Sequence, residues 1–351
     1  MKDYTQLPEF DGHELIVFGR DRATGLRAVI AIHNTRLGPA AGATRFWRYP
    51  SMTEAVRDAL RLSRGMTYKC ALAGLPFGGG KGVIMSVPGT TKSKVLTAYA
   101  QQVNALHGKF YTGEDVGMTK ADVQTMGKVS KYIIGTSERD GRPAYWTALG
   151  VFLTMERLGA HVWGTPRVAG RTVAIRGLGK VGLALAEFIS QNGGLVVRAD
   201  SNPERVRIAS RKVRGITFVS PREIHRVRAD VFAPCALGGE FNERSVRELR
   251  CSMVCGGANN QLTTSAVGAT LFRQGILYVP DYLVNAGGLI DVTAELRRGG
   301  VRVSEVEQKV RGIPLTAERV VRLSNKERKP TNAIADRLAE ARFKGKRTAR
   351  A

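Results

Sequence analysis

The sequence predicts an α/β protein of two domains, the second an open parallel sheet covered by crossover helices. Three observations carry this. The 351 residues are too many for one ordinary core. From residue 172 onward, short β-branched runs alternate with helical segments, as in parallel strands joined by crossover helices. One of those runs enters a glycine-rich turn, "GLGKVG", that opens directly into a helix. The boundary is placed near residue 141, in "ERDGRP", which separates domains 1–140 and 141–330.

Taken in order, residues 14–34 read as two strands around a turn at Arg22–Gly25. A loop rich in Gly, Pro and Ala follows, "RLGPAAGATRFW". Residues 53–74 place Ala55, Val56, Ala59 and Leu60 at helical spacing. Residues 92–108 predict a second helix, ended by Gly108. "KFYTGEDVG" predicts a short strand running into a loop, and 119–133 a further helix. A helix at 146–160 leads into the second half. There strands and helices alternate at 172–176, 181–191, 195–199, 203–212, 230–232, 252–255 and 276–279. Residues 331–343 predict an amphipathic helix, and the basic tail 344–351 is expected to be disordered.

Composition narrows the class. Hydrophobic residues make up 43%, enough to bury a core in each domain. No apolar run reaches the length of a membrane span and the N-terminus has no apolar signal core, so a soluble cytoplasmic protein is expected. Cys70, Cys235, Cys251 and Cys255 lack the spacing of a zinc site and read as small buried thiols; no metal is expected. Lys plus Arg is 54 against 30 Asp plus Glu, a formal charge of +24. The charge is spread along the chain with few aromatics, which describes a solvated basic surface with nonspecific attraction for polyanions better than specific nucleic-acid recognition.

The second domain carries a dinucleotide signature. A β-branched strand, Thr172 to Ile175, runs into Gly177-Leu178-Gly179-Lys180-Val181-Gly182 and a helix. The first glycine makes the tight turn, the second admits a pyrophosphate, and the third packs helix on strand. A second strand ends at Asp200 and Ser201, where a carboxylate can accept from both ribose hydroxyls of an adenosine. Strand, glycines, helix and acid together predict a Rossmann domain that binds NAD, with Arg198 and Arg205 as the residues able to admit a 2′-phosphate. "ADVFAPCALGG", "SMVCGGANNQL" and "LYVPDYLVNAGG" end in small residues at the sheet's ligand edge. They add Cys235, Ala236, Ala258, Asn259 and Asn260 to the cofactor residues, and Asn285 as an amide for nicotinamide, ribose or substrate. Each asparagine taken alone is equally a loop cap.

The chemistry is carried by "MTYKCALAGLPFGGGKGVI" and "YTGEDVG". Lys69 and Lys81 stand among small and apolar residues, and Gly78, Gly79 and Gly80 precede the second lysine. The glycines are expected to let a substrate approach Lys81. An ammonium in an apolar cleft beside a second ammonium loses its proton more readily. Such a lysine can polarise a carbonyl while its neighbour holds a carboxylate. Asp115 is suited to general acid/base work. These residues by themselves are equally consistent with Lys81 binding a phosphate and Lys69 lying on the surface of its helix.

"GPAAGATR", "RLSRGMTYKCALAGLPFGGGKGVI", "YTGEDVGMTKADV", "GLGKVG", "DVFAPCALGG", "GGANNQL" and "PDYLVNAGG" occur together and in order. From about residue 10 to 343 the chain resembles the leucine/phenylalanine/valine branch of the amino-acid dehydrogenases. The resemblance implies an N-terminal α/β substrate domain facing a Rossmann domain across a cleft, with the C-terminal helix 331–343 returning to the first domain. It implies homo-oligomers of two or more chains formed through that domain. It makes Lys81 and Asp115 catalytic, Lys69 the ligand of the substrate carboxylate, and Asn285, Met66, Ala41 and Gly113 further substrate contacts. Leucine-specific members tend to carry Leu and Ala where Ala41 and Gly113 stand, so the smaller pair implies activity on aromatic substrates; residues near Gly312 to Leu315 line the same pocket. One departure is Gly42-Ala43-Thr44-Arg45, where the family commonly has Gly-Gly before Thr-Arg. The expected activity is NAD-dependent, reversible oxidative deamination of an apolar L-amino acid to its 2-oxo acid and ammonia. The rival from another class is a non-catalytic NAD-responsive protein whose basic surface binds nucleic acid.

Overall fold

Residues 3–136, 142–213, 215–297 and 300–345 are described by the computed structural model of the chain. The chain divides into unit 1, which takes Met1–Arg139, Val292–Val301 and Ala339–Ala351, and unit 2, which takes Asp140–Asp291 and Arg302–Leu338. The expected break near residue 141 and most of the expected disordered tail, residues 346–351, lie outside the described residues.

Unit 1 is built on strands β1 (Leu15–Asp21), β2 (Leu26–Asn34), β3 (Ala40–Ala41), β4 (Thr44–Trp47), β5 (Gly78–Met85) and β6 (Phe110–Tyr111), with helices α1 (Met52–Leu72), α2 (Lys92–Ala105) and α3 (Lys120–Gly127). The order is β1-β2-β5-β3-β6, and β4 also pairs with β5. The β1–β2 turn forms as expected: Thr24 N–H donates to the Asp21 carboxylate at 3.0 Å, and Gly25 takes a φ of 76°.

Strand alternation decides where β5 points its side chains. Val29, Ala31, Val83 and Met85 pack on Ala55, Val56, Ala59 and Leu60 of α1. Ala28, Ile30, Ile32 and Ile84 face the other way, toward Leu96, Tyr99, Val103, Val123 and Met126 of α2 and α3. Lys81, two residues before Val83, therefore shares the α1 face.

The helix expected at 119–133 is shorter than its sequence suggests. Thr119 and Asp122 form a reciprocal capping box, but α3 ends at Gly127. The chain then turns back, and Ile134 N–H donates to Thr112 O at 2.8 Å while Thr112 N–H donates to Tyr132 O at 3.1 Å. Pairing with the segment that leads to Asp115 outweighs helical propensity here.

Unit 2 opens with α4 (Arg142–Val162) and continues through β7 (Thr172–Arg176), α5 (Lys180–Gln191), β8 (Leu195–Ala199), α6 (Pro203–Lys212), β9 (Ile216–Phe218), β10 (Val231–Pro234), α7 (Ser245–Glu248), β11 (Met253–Val254), α8 (Ser265–Arg273) and β12 (Leu277–Tyr278). Helices α9 (Asp281–Val284), α10 (Gly287–Thr293), α11 (Val303–Glu327) and α12 (Thr331–Lys344) complete the chain; the last turns of α10 and α12 group with unit 1. All strand pairs are parallel, in the order β12-β11-β10-β7-β8-β9. The direction of progression reverses between β7 and β10, the Rossmann arrangement, and ligands bind at the carboxyl ends beside that point. Among the described residues, no helix is long and apolar enough to cross a membrane.

Candidate active site

In unit 1, Lys81 is 5% exposed and Lys69 8%, so neither is a surface lysine. Lys81 Nζ lies 2.6 Å from Asp115 Oδ2. Its charged partner is thus a carboxylate, where the sequence suggested a second ammonium. Burial alone would raise the Asp115 carboxyl, but Lys81 and then Arg45 outweigh it and hold the group well below the usual carboxylate range. Asp115 is therefore ionised and paired.

The glycines beside Lys81 serve packing, which corrects the expectation that they clear space for substrate. A Cβ on Gly79 would stand 2.1 Å from Thr67 N and 2.6 Å from Ser63 O. On Gly78 it would meet Asn34 O at 1.8 Å, and on Gly80 the Phe110 ring at 2.7 Å. These are contacts with neighbouring elements. Gly79 lets α1 ride directly on β5, which brings the helix bearing Lys69 against the strand bearing Lys81.

The remaining expected substrate residues of this unit are placed as follows. Ala41 on β3 is fully buried between Gly79 and Tyr111. Gly113 is buried, and a Cβ there would meet Ile134 O at 2.7 Å. Met66 is half-buried on α1. Two further polar residues join the site: Arg45 donates from Nε to Asp115 at 3.2 Å, and Asp58 on α1 accepts from Arg45 at 2.8 Å. Arg45 was visible in "GATR"; Asp58 sits in a plain helical stretch and carries no local signal.

In unit 2 the loop after β7 separates the glycine roles. Gly177 has a φ of 98°, and a Cβ on it would meet Ala236 N at 2.7 Å. On Gly182 a Cβ would stand 1.9 Å from Gly177 O, whereas on Gly179 it would meet nothing within 4 Å. Gly179 thus fronts open space at the N-terminus of α5, where a phosphate group fits. Lys180 is exposed and Val181 half-buried, the latter close enough to Gly257 that a Cβ there would touch its Cγ1 at 2.6 Å. Cys235 lies at the same edge, its thiol pushed up to about 11 by burial, and Ala236 is exposed next to it.

Asp200 follows β8. It accepts from Leu178 N–H at 2.6 Å and Asn202 N–H at 2.7 Å, with Arg205 at 3.7 Å and Ser201 exposed beside it. Its carboxylate faces the glycine loop, in position for a ribose. Arg198 does not share that edge. It is fully buried, donates to Ala209 O at 3.2 Å and lies over the Phe218 ring.

Asn285 and Asn259 meet: Asn285 Nδ2 donates to Asn259 Oδ1 at 2.8 Å and to Gly257 O at 3.2 Å. Asn285 Oδ1 is buried with no partner, an acceptor open to an amide or ammonium N–H of a ligand. Ala258 is buried in the same turn, and Asn260 takes a φ of 51° with its N–H on Asp281 at 2.7 Å. Gln261 and Asp281, unread in the sequence, brace this turn; Gln261 Nε2 donates to Gly256 O and Ala258 O. The open cradle at Gly179 and the orphaned acceptor of Asn285 fit a nicotinamide dinucleotide.

Comparison with known proteins agrees in both units. Residues 15–139 match the family model described as Glu/Leu/Phe/Val dehydrogenase, dimerisation domain, and residues 199–348 the one described as Glutamate/Leucine/Phenylalanine/Valine dehydrogenase. The chain is 41% identical over 333 residues to an L-tryptophan dehydrogenase of Nostoc punctiforme, covering 95% of this chain and 94% of the relative. It is 43% identical over 338 residues to a valine dehydrogenase of Streptomyces virginiae (95% and 94% covered). It is 39% identical over 342 residues to a leucine dehydrogenase of Geobacillus stearothermophilus (96% and 92% covered). A solved structure of L-tryptophan dehydrogenase from Nostoc punctiforme matches with a TM-score of 0.81 at 40% identity, covering 95% of this chain and 96% of that one.

Proposed function

The chain belongs to the glutamate/leucine/phenylalanine/valine dehydrogenase family, and from that premise we propose that it is an NAD-dependent L-amino-acid dehydrogenase. It converts an apolar L-amino acid, branched-chain or aromatic, and water to the 2-oxo acid and ammonia, reversibly. The observation that carries this is the buried Lys81–Asp115 ion pair on the face of β5 that α1, with buried Lys69, packs against.

Each group has a task its surroundings suit. The Lys69 ammonium holds the substrate carboxylate. Asp115, ionised, takes a proton from the substrate ammonium and returns it in the reverse direction. Lys81 sets positive charge against the oxygen that develops when water adds to the substrate carbon. Gly179, in the loop that Gly177 and Gly182 shape, and Asp200 hold the dinucleotide, and Asn285 offers Oδ1 to a ligand N–H. When bound, the nicotinamide supplies acceptance of the α-hydrogen as hydride. Asp200, with Arg198 buried elsewhere, favours NAD over NADP.

Unit 1 is the proposed substrate and oligomerisation domain and unit 2 the NAD domain. A homo-oligomer of two or more chains is supported by the dimerisation-domain match over residues 15–139. The cytoplasm is the proposed compartment. The comparisons lend no support to the nucleic-acid rival.

The test is NADH consumption with ammonia and the 2-oxo acids of leucine, valine, phenylalanine and tryptophan, beside a salt-dependent DNA-binding titration. Turnover of at least one 2-oxo acid is expected. No turnover with any of them, together with DNA binding that survives salt, would overturn the proposal.

A further inference from the structure

One guanidinium in unit 1 joins two carboxylates. Arg45 donates from Nη1 to Asp58 Oδ2 at 2.8 Å and from Nε to Asp115 Oδ2 at 3.2 Å. Asp58 is itself held: it accepts from Tyr49 Oη at 2.5 Å and from Arg61 at 3.1 Å, and its side chain is 11% exposed. Burial and the Asp58 carboxylate push the Tyr49 phenol upward, so it stays an O–H donor. Charges alternate along Asp58, Arg45, Asp115 and Lys81.

We propose that Asp58 and Arg45 are positioning residues for the reaction: Asp58 turns the guanidinium so that Asp115 receives one N–H, and Asp115 stays available to the substrate amine. The inference rests on the assignment of Asp115 as the proton-transfer group.

The reason lies in the shape of the arginine head. A guanidinium facing a lone carboxylate takes it through two parallel N–H bonds, one to each oxygen. That grip on Asp115 would occupy both oxygens. Nε and Nη2 form one edge of the head and Nη1 lies opposite. Asp58 anchors Nη1 and so sets the plane of the guanidinium, and Nε reaches Asp115 by a single bond on Oδ2, the oxygen Lys81 also approaches. The guanidinium thus fixes the carboxylate in direction without closing over it. A lysine in its place has one point charge and cannot bridge two carboxylates in a set orientation. Asp58 touches none of the reacting groups, so its effect passes through Arg45.

The experiment compares the full chain with D58N, R45K, R45Q and R45Q/D58N. It measures kcat and KM with NADH, ammonia and the best 2-oxo acid, thermal melting, and NADH-binding stoichiometry to count competent sites. D58N is expected to lower kcat per competent site by about 10- to 100-fold, the scale of a catalytic group misplaced by an ångström, with KM changed by less than about twofold. R45K falls between wild type and R45Q. In the R45Q background, D58N adds less than about twofold, because the partner it acts through is gone. Wild-type kcat in D58N, or an equal loss in both backgrounds, overturns the inference while leaving the dehydrogenase assignment intact. A wild-type chain with no turnover removes both. If D58N does not fold, R45K decides: an intermediate kcat supports the inference and a wild-type kcat overturns it.

Discussion

Lys81 Nζ stands 2.6 Å from Asp115 Oδ2, an ion pair closed between strand β5 and the loop that follows β6. Arg45 backs the carboxylate from β4, so removing Lys81 still leaves Asp115 a counter-charge. Breaking a buried pair usually costs about 3–5 kcal/mol because a charge is stranded, and the second cation moderates that here. K81M and D115N are each expected to fold and bind NADH while losing about 10²–10⁴ in kcat. K69A is expected to raise KM for the 2-oxo acid with a smaller effect on kcat. Steady-state kinetics beside NADH fluorescence titration check this, and near wild-type turnover in K81M or D115N would remove that residue from the chemistry.

Gly79 is the contact that seats α1. In G79A the new methyl would stand 2.1 Å from Thr67 N, a backbone atom that cannot swing aside. The helix must shift, and Lys69 shifts with it. Overpacking of this kind typically costs about 1–3 kcal/mol. The expected result is a lower Tm together with a raised KM for the 2-oxo acid, read from melting curves and kinetics. A lower Tm with an unchanged KM would show that the seat of α1 does not govern substrate binding.

The proposed determinant of cofactor choice lies beside the glycine loop. The Asp200 carboxylate repels a 2′-phosphate and accepts from free hydroxyls, and Arg205 at 3.7 Å is the nearby cation that opposes it. NAD is expected to be preferred by at least about tenfold in kcat/KM, equal to about 1.4 kcal/mol. D200S narrows the gap. Measuring both cofactors on wild type and variant settles it, and a preference for NADP in the wild type would show that Arg205 prevails.

Ala41 and Gly113 are the proposed determinants of substrate size. A41L is expected to move the profile toward leucine and away from phenylalanine and tryptophan, since filling a pocket is worth about 1–3 kcal/mol per methylene at most. G113A behaves differently: its methyl would meet Ile134 O at 2.7 Å, so lost stability accompanies any change in preference. The comparison is kcat/KM for leucine, valine, phenylalanine and tryptophan on each variant. A wild type confined to branched-chain substrates would contradict the pocket assignment.

Acid sensitivity of unit 1 follows from a buried histidine pair. His13 accepts the Asp11 N–H at Nδ1 (3.2 Å), so Nε2 carries the proton and donates to Leu60 O at 3.0 Å. Its ring meets His33 edge-on at 4.9 Å, with Asp11 and Arg64 the nearby charges. Burial pushes His13 from 6.5 to about 4 and lowers His33 as well. The folded chain thus binds fewer protons than the unfolded one between about pH 6.5 and about pH 4. Stability is present in full above that window and is lost as pH falls through it, by up to about 1.4 kcal/mol per pH unit for each such group. H13Q is expected to flatten the fall in Tm between about pH 7 and about pH 5. A fall as steep as in the wild type would clear His13 of the role.

What is written locally can be read from the residues alone. The stretch from Thr172 to Asp200 holds strand, glycine turn, helix and acid in one continuous run, and the structure builds each in place. The glycine turn also separates there into the roles its spacing implies, with only Gly179 facing open space. Lys69 and Lys81, proposed to carry the chemistry with Asp115, stand out locally as lysines among small apolar residues. What depends on which distant segments meet emerges only in the folded chain. Strand order β2-β5-β3-β6 sets Lys81 against Asp115, and β4 paired with β5, with α1 packed on the sheet, adds Arg45 and Asp58 to the group. The glycines before Lys81 looked like room for a substrate, and only the seating of α1 on β5 showed that a helix fills it. Strand β9 and helix α11, with Pro314 inside it, were not predicted either. A three-residue strand and a helix containing proline have weak local preference, and each is held by neighbours far away in the chain: β9 by β8, and α11 by the packing of Ile313 against Gly150 on α4.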